Sequence, residues 1–169
     1  MMKTLYLVRH AKSSWEFPDL SDYERPLNNR GTKDAPEMGR RLRGRGILPG
    51  CFVSSPALRA HETSLLVSRE INFPESEIVF MEQIYAADVP DLLAVIFSFP
   101  QEASSAFLVG HNPGMTSLAE YLTGTPIGNL PTCGVACIEF GPEVAAWAHA
   151  GKGMGMLAFL DYPKKECSY

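Results

Sequence analysis

The sequence has little cysteine, no long apolar run and no excess of positive charge, and each shortage removes a class of protein. Four cysteines in 169 residues, Cys51, Cys133, Cys137 and Cys167, are too few for a disulfide scaffold. Cys133 and Cys137 stand four apart in "CGVAC", but no second Cys or His pair follows at zinc-like spacing. The cysteines therefore read as buried free thiols in a reducing compartment. No apolar run approaches the roughly 20 residues of a bilayer span. "MMKTLYLVRH" has too short an apolar stretch for a signal-peptide core and meets charges where a cleavage site would need small residues, so a cytoplasmic protein with no membrane partner is expected. Fifteen basic against nineteen acidic residues give a net charge of −4, which argues against nucleic acid as a partner. A Walker-type glycine loop and a carboxylate pair for magnesium are both missing, which argues against nucleotide or two-metal chemistry. No metal and no cofactor are expected.

What is present is an ordinary globular composition, 46% hydrophobic and 20% charged, in a chain long enough for one domain over residues 1–169 with a real core. Strand-like and helix-like runs alternate, the pattern of an α/β fold: a three-layer α/β/α domain with a mostly parallel central sheet. "TLYLV", "CFVSS" and "SAFLVG" read as strands, and "VACIEF" and "MLAFL" as a closing pair. Helices are predicted over 32–42, with Pro36 tolerable only in an opening turn; over 56–71, behind a serine cap; over 88–99, behind Asp88; and after "HNPGM" as far as Gly124. Arg40, Arg41, Arg43 and Arg45 cluster in "GRRLRGRG", either as a solvated helix end whose cations suit the dipole or as a docking patch for an acidic protein.

In an open α/β sheet, ligands bind beyond the carboxyl ends of the strands. Three strand candidates end there in residues of one chemical type: "LYLVRH" in Arg9 and His10, "FVSSPALR" in Arg59 one turn into a helix, and "FLVGHN" in His111. Two arginines and two histidines make a cationic pocket in an acidic chain, and a phosphoryl group is the ligand that suits it. Guanidinium forks grip phosphate oxygens, and the helix starts after Ser54-Ser55 and after Asn112 add backbone N–H groups. His61 and His149 lack this placement.

"VRHAKSSW", "SSPALRAHET" and "LVGHNPG", in this order, together with "RPLNNRG" and the terminal "YPK", resemble the histidine phosphatase superfamily, also called phosphoglycerate-mutase-like. The length and the form "RHAKS" are most similar to the compact SixA-type phosphohistidine phosphatases. The resemblance implies that His10 is the nucleophile that becomes phosphorylated. Arg9 and Arg59 would clamp phosphate oxygens, and His111 would stabilise transition-state charge. Ser13 and Asn112 would line the phosphate site. Where the commonest motif form has glycine after the histidine, this chain has Ala11. Larger members carry an acidic general acid; Glu82 in "FMEQIY" is the better positional match and Asp88 the second, and the short members can lack one.

The chemistry asks that His10 attack as a neutral imidazole, held so by neighbouring guanidinium groups, with its tautomer fixed by donation to a backbone carbonyl. The expected activity is a metal-independent phosphatase acting on phosphohistidine in a signalling or phosphotransfer protein and releasing phosphate. The alternatives are a phosphatase of a small phosphorylated metabolite and a non-catalytic module that recognises phosphate.

Overall fold

Strand β1, Thr4–Arg9, lies inside the sheet and sorts its side chains by the two-residue period of a strand. Leu5 and Leu7 face one apolar layer, and Tyr6 and Val8 face the other. In the computed structural model, which describes residues 2–165, nine further strands and helices accompany it. They are α1 (Asn29–Gly44), β2 (Cys51–Ser54), α2 (Leu58–Glu70), β3 (Val79–Phe80) and α3 (Val89–Phe97), then β4 (Ser105–Gly110), α4 (Gly114–Thr123), β5 (Val135–Phe140) and β6 (Gly155–Asp161). The described residues form one six-stranded sheet in the order β3-β2-β4-β1-β5-β6. Strands β3, β2, β4 and β1 are parallel; β5 and β6 are the expected closing pair, and β5 runs antiparallel to both β1 and β6.

Helices α3 and α4 cover one face through Leu92, Ile96, Leu118 and Leu122. On the other face α1 and α2 place Ala35, Met38, Leu42 and Val67 against Phe52, Phe107 and Val109. The three-layer α/β/α arrangement is thus present, and its parallel half brings the ends of β1, β2 and β4 to one edge. At the opposite end, Lys3 is buried with its ammonium donating to the Gln101 and Ala103 carbonyls at 2.7 and 2.9 Å.

Several boundaries differ from the sequence reading. Helix α1 starts at Asn29 and carries Pro36 well inside it. The helical donor that Pro36 lacks would have gone to the carbonyl of Thr32, a residue exposed to solvent, which can substitute. Asn28 caps this helix by accepting the Gly31 amide at 2.8 Å. Helix α2 starts at Leu58 with Ala57 as its cap residue, not at Pro56 behind a serine cap. Ser55 accepts the Ala57 amide at 3.2 Å and so shapes the approach to the helix. The short β3 was not predicted, because two residues are too few to show a period.

Three of the four arginines in the cluster make contacts within the chain. Arg40 pairs with Glu37 and Glu70 at 3.1 and 3.4 Å. Arg41 reaches Asp161 at 3.0 Å and donates to the Tyr162 and Pro163 carbonyls, and Arg45 lies 3.8 Å over the Phe159 ring. Arg41 and Arg45 thereby strap α1 to the last strand. Cys133 and Cys137 are buried free thiols and Cys51 is half-buried; Cys167 lies outside the described residues. No helix among the described residues is long and apolar enough to cross a membrane.

Close approach explains one glycine. A Cβ at Gly114 would run into the Ala87 carbonyl oxygen, where α4 meets the segment entering α3. Gly114→Ala is therefore expected to lower stability by about 1–3 kcal/mol, measured by urea unfolding.

Candidate active site

Beyond the last paired residue of β1, the backbone stays tied to its neighbours. The His10 amide donates to the Gly110 carbonyl, and the His10 carbonyl accepts the Cys133 amide, both at 3.0 Å. His10 is only 8% exposed. Its Nδ1 lies 2.7 Å from the Ala11 carbonyl oxygen. A carbonyl can only accept, so Nδ1 carries the proton and Nε2 keeps the lone pair. Burial pushes the His10 pKa down to about 3, helped by His111, Arg59 and Arg9 and opposed by the Ala11 carbonyl. The sequence reading credited guanidinium groups with holding the ring neutral. Burial is the larger cause, and the arginines are secondary.

Ala11 is fully buried, and its amide donates to Thr63 Oγ1 at 2.9 Å. Its φ is not positive. Alanine is therefore unstrained where the commonest motif form has glycine.

Six of the predicted residues, Arg9, His10, Ser13, Arg59, His111 and Asn112, line one cleft of about 930 Å³. Arg9 Nη1 donates to the Leu130 carbonyl at 2.9 Å. Arg59 donates from Nη1 to the Asp22 carbonyl at 2.6 Å and from Nη2 to Asp22 Oδ2 at 3.0 Å. His111 Nε2 lies 2.7 Å from Ser55 Oγ. That hydroxyl already accepts the Ala57 amide, so its proton can go to Nε2, leaving the ring's own proton on Nδ1. Burial, then Arg59, lowers the His111 pKa to about 4. Arg9 Nε, Arg59 Nε and His111 Nδ1 are buried with no acceptor in the protein. Buried donors normally have partners, and three such nitrogens around one nucleophile suit the oxygens of a phosphoryl group.

Glu82 is not brought into this cleft. It lies on the turn Glu82–Ile84, exposed, with Oε1 accepting the Tyr23 hydroxyl at 2.6 Å. Asp88 does line the cleft, but its Oδ1 accepts the Asp91 amide at 3.0 Å as the cap of α3, which lowers its pKa. Asn112 lines it too, with its side chain fully committed. The amide donates to Asn129 Oδ1 and the Leu130 carbonyl at 2.9 and 3.0 Å, and the oxygen accepts from the Thr116 amide and hydroxyl at 3.1 and 2.9 Å. It builds the wall, and its side chain has nothing left to offer a ligand. Ser13 Oγ accepts from Arg25 Nη1 at 2.7 Å and retains its own proton to donate.

Among the cleft residues that sequence reasoning missed, three hold one another: Asp22, Arg25 and Tyr85. Arg25 lies 3.8 Å over the Trp15 ring and pairs with Asp22 Oδ1 at 3.1 Å. The Tyr85 hydroxyl donates to Asp22 Oδ2 at 2.7 Å, and its ring meets His111 edge-on at 5.6 Å. "SDYERP" has no periodicity to mark Asp22, although Arg25 opens the "RPLNNRG" stretch. Lys12 and Trp15 also line the cleft. His61 stacks on Phe80 at 4.4 Å and His149 sits on the turn Trp147–His149; neither lines the cleft. Among the described residues, no group of three or more His, Cys, Asp or Glu side chains is placed to hold a metal ion.

Residues 5–84 match the sequence model of the histidine phosphatase superfamily, branch 1. The chain belongs to the histidine phosphatase superfamily. It is 33% identical over 172 residues to an uncharacterized chloroplastic protein of Arabidopsis thaliana, covering 95% of this chain and 78% of that one. It is 31% identical over 94 residues to a 2,3-bisphosphoglycerate-dependent phosphoglycerate mutase of Parvibaculum lavamentivorans, covering 54% of this chain and 45% of the mutase. Among solved structures, SixA from Agrobacterium tumefaciens superposes with a TM-score of 0.78 at 27% identity over 95% of this chain and 99% of that one. A protein histidine phosphatase SixA complexed with tungstate shares the fold with a TM-score of 0.80 at 22% identity, over 95% and 97% of the two chains. This histidine phosphatase is a SixA-like enzyme whose substrate is phosphorylated and whose product is phosphate.

The two buried histidines set a stability profile. Their folded-state pKa values, about 3 and about 4, lie below the ordinary 6.5, so the unfolded chain binds protons first as pH falls. Their contribution is complete above about pH 6.5 and is lost progressively as pH drops through about 4 and then about 3. The urea midpoint should fall between pH 6.5 and 4, and more steeply in the wild type than in His111→Gln.

Proposed function

We propose that this histidine phosphatase hydrolyses phosphohistidine carried by a signalling or phosphotransfer protein of the cytoplasm, through a phospho-His10 intermediate. One observation carries the choice of substrate: neither carboxylate in the cleft is available as a proton donor. Asp22, hydrogen-bonded by Tyr85, Arg59 and Arg25, is held down to about 2, and Asp88 is lowered by its capping bonds. Both stay ionised at neutral pH. A sugar or glycerate alkoxide is too basic to leave without a proton. A protonated phosphoimidazole leaves as neutral imidazole and needs none.

In the first step the His10 Nε2 lone pair forms a bond to phosphorus as the bond from phosphorus to the substrate nitrogen breaks. Arg9 and Arg59 supply donors to the equatorial oxygens, and His111 Nδ1 supplies a third. The ring now bears phosphorus on Nε2 and a proton on Nδ1, so it is cationic. The Ala11 carbonyl that fixed the tautomer accepts from this charged ring and steadies it. In the second step water attacks phosphorus, the bond to Nε2 breaks, neutral His10 returns, and the protons of water leave with phosphate.

The test is turnover of a phosphorylated phosphotransfer domain beside a panel of alkyl phosphates. The expected kcat/KM favours the phosphohistidine protein by at least about 100-fold. Glu82→Gln should leave it unchanged, and His10→Ala should abolish both turnover and the acid-labile phosphoprotein seen on rapid quenching. Equal or faster hydrolysis of alkyl phosphates would point to a small metabolite, and release from neither set by an enzyme that still binds phosphate would leave a recognition module.

A further inference from the structure

The catalytic cleft already contains an anion of its own. Arg59 uses both of its terminal nitrogens on Asp22, one on the backbone carbonyl at 2.6 Å and one on carboxylate Oδ2 at 3.0 Å. The same Oδ2 accepts the Tyr85 hydroxyl at 2.7 Å, and Oδ1 accepts Arg25 Nε and Nη2 at 3.3 and 3.1 Å. Arg25 in turn holds Ser13 Oγ at 2.7 Å. Only Nε of Arg59 is left without an acceptor. We propose that Asp22 is a positioning residue that fixes the Arg59 and Arg25 guanidinium groups and offsets part of their charge, so that the cleft releases phosphate. The proposal rests on the phosphatase activity but not on which phosphorylated substrate it serves.

Two physical arguments lead there. The first is geometric. A long arginine has several rotamers, and a guanidinium gripped at both terminal nitrogens keeps one, so it meets a phosphoryl group at little further entropic loss. The second is electrostatic. Four cations, Arg9, Lys12, Arg25 and Arg59, line the cleft against two carboxylates. A dianionic product held by all four at full strength would leave slowly, because uniform binding strengthens the product complex without helping the chemical step. Asp22 lies against two of the four and weakens the field that product feels. The Arg59 guanidinium it orients still meets the equatorial oxygens of the transition state. Tight anchoring and moderate charge come from the same carboxylate.

The experiment reads phosphate affinity directly, with inorganic phosphate titrated calorimetrically into the unliganded protein, beside kcat on a small aryl phosphate. Asp22→Asn should bind phosphate about three- to tenfold more tightly, the effect of removing one partly solvated charge at short range. It should also lower kcat, because the neutral amide releases Arg59. Asp22→Glu, which keeps the charge on a longer arm, should retain wild-type phosphate affinity while losing kcat. A purely structural role predicts the opposite sign, weaker phosphate binding in Asp22→Asn. That result, unchanged affinity, or an undiminished kcat in Asp22→Asn would overturn the proposal. The Asp22 side chain is 54% exposed, so loss of the fold is not expected, and unfolding in urea checks it. Because the ligand is inorganic phosphate, a wrong assignment of the phosphohistidine substrate would leave the affinity result standing.

Discussion

The hydrogen bond from the His10 amide to the Gly110 carbonyl is the contact on which the active site depends. It extends the β1–β4 ladder one residue past the strand and fixes the nucleophile to the sheet, where a free loop would let it wander. The Ser55 amide does the same on the other side by donating to the Val109 carbonyl at 2.9 Å. Parallel register therefore sets the relative heights of His10, Ser55 and Gly110, and with them His111. Arg59 follows because α2 starts three residues beyond Ser55. A displacement of one residue in either pairing would invert the faces of Leu5, Leu7 and Val8 and unmake both apolar layers. The precision of the catalytic group is thus underwritten by the whole core.

That core also supplies the chemistry. A histidine beside two arginines in water would lose only part of its proton affinity. Sunk between packed layers, it loses most of it, and burial rather than the guanidinium charges keeps the ring neutral at physiological pH. The arginines are then free to act on the phosphoryl group. Burial of the site serves two ends, since the same low-dielectric surroundings that keep His10 neutral strengthen every donor aimed at a developing oxyanion.

Much of this was legible in the sequence, for a definable reason. Strand β1 announces itself by an apolar run that stops at Arg9, β4 by one that stops at Gly110, and each is followed at once by a histidine; position along a buried strand is information that periodicity carries. Helix α3 was legible from Asp88 and Pro90, and the end of α4 from Gly124, because caps and left-handed positions have strong residue preferences. Asp22, Arg25 and Tyr85 were not legible as a group. They meet across gaps of three, sixty and sixty-three residues, and nothing local ties their spacing to a shared carboxylate. Pro36 misled for the opposite reason: a strong local rule against proline gave way to a solvent-facing carbonyl and the packing of Ala35, Met38 and Leu42. Glu82 has the right residue type near the right place, but a tyrosine from another loop holds it outside the cleft.

The Ala11 carbonyl gives the motif an unequal tolerance to change. The proton on His10 is held by the main chain, so every amino acid at position 11 provides the same acceptor. What position 11 limits is volume, since its side chain is fully enclosed, and what it demands of the backbone any small residue can meet. The tautomer of the nucleophile is inherited with the path of the chain. A lineage can exchange the third letter of its signature between glycine and alanine and still hold the nucleophile's proton on Nδ1.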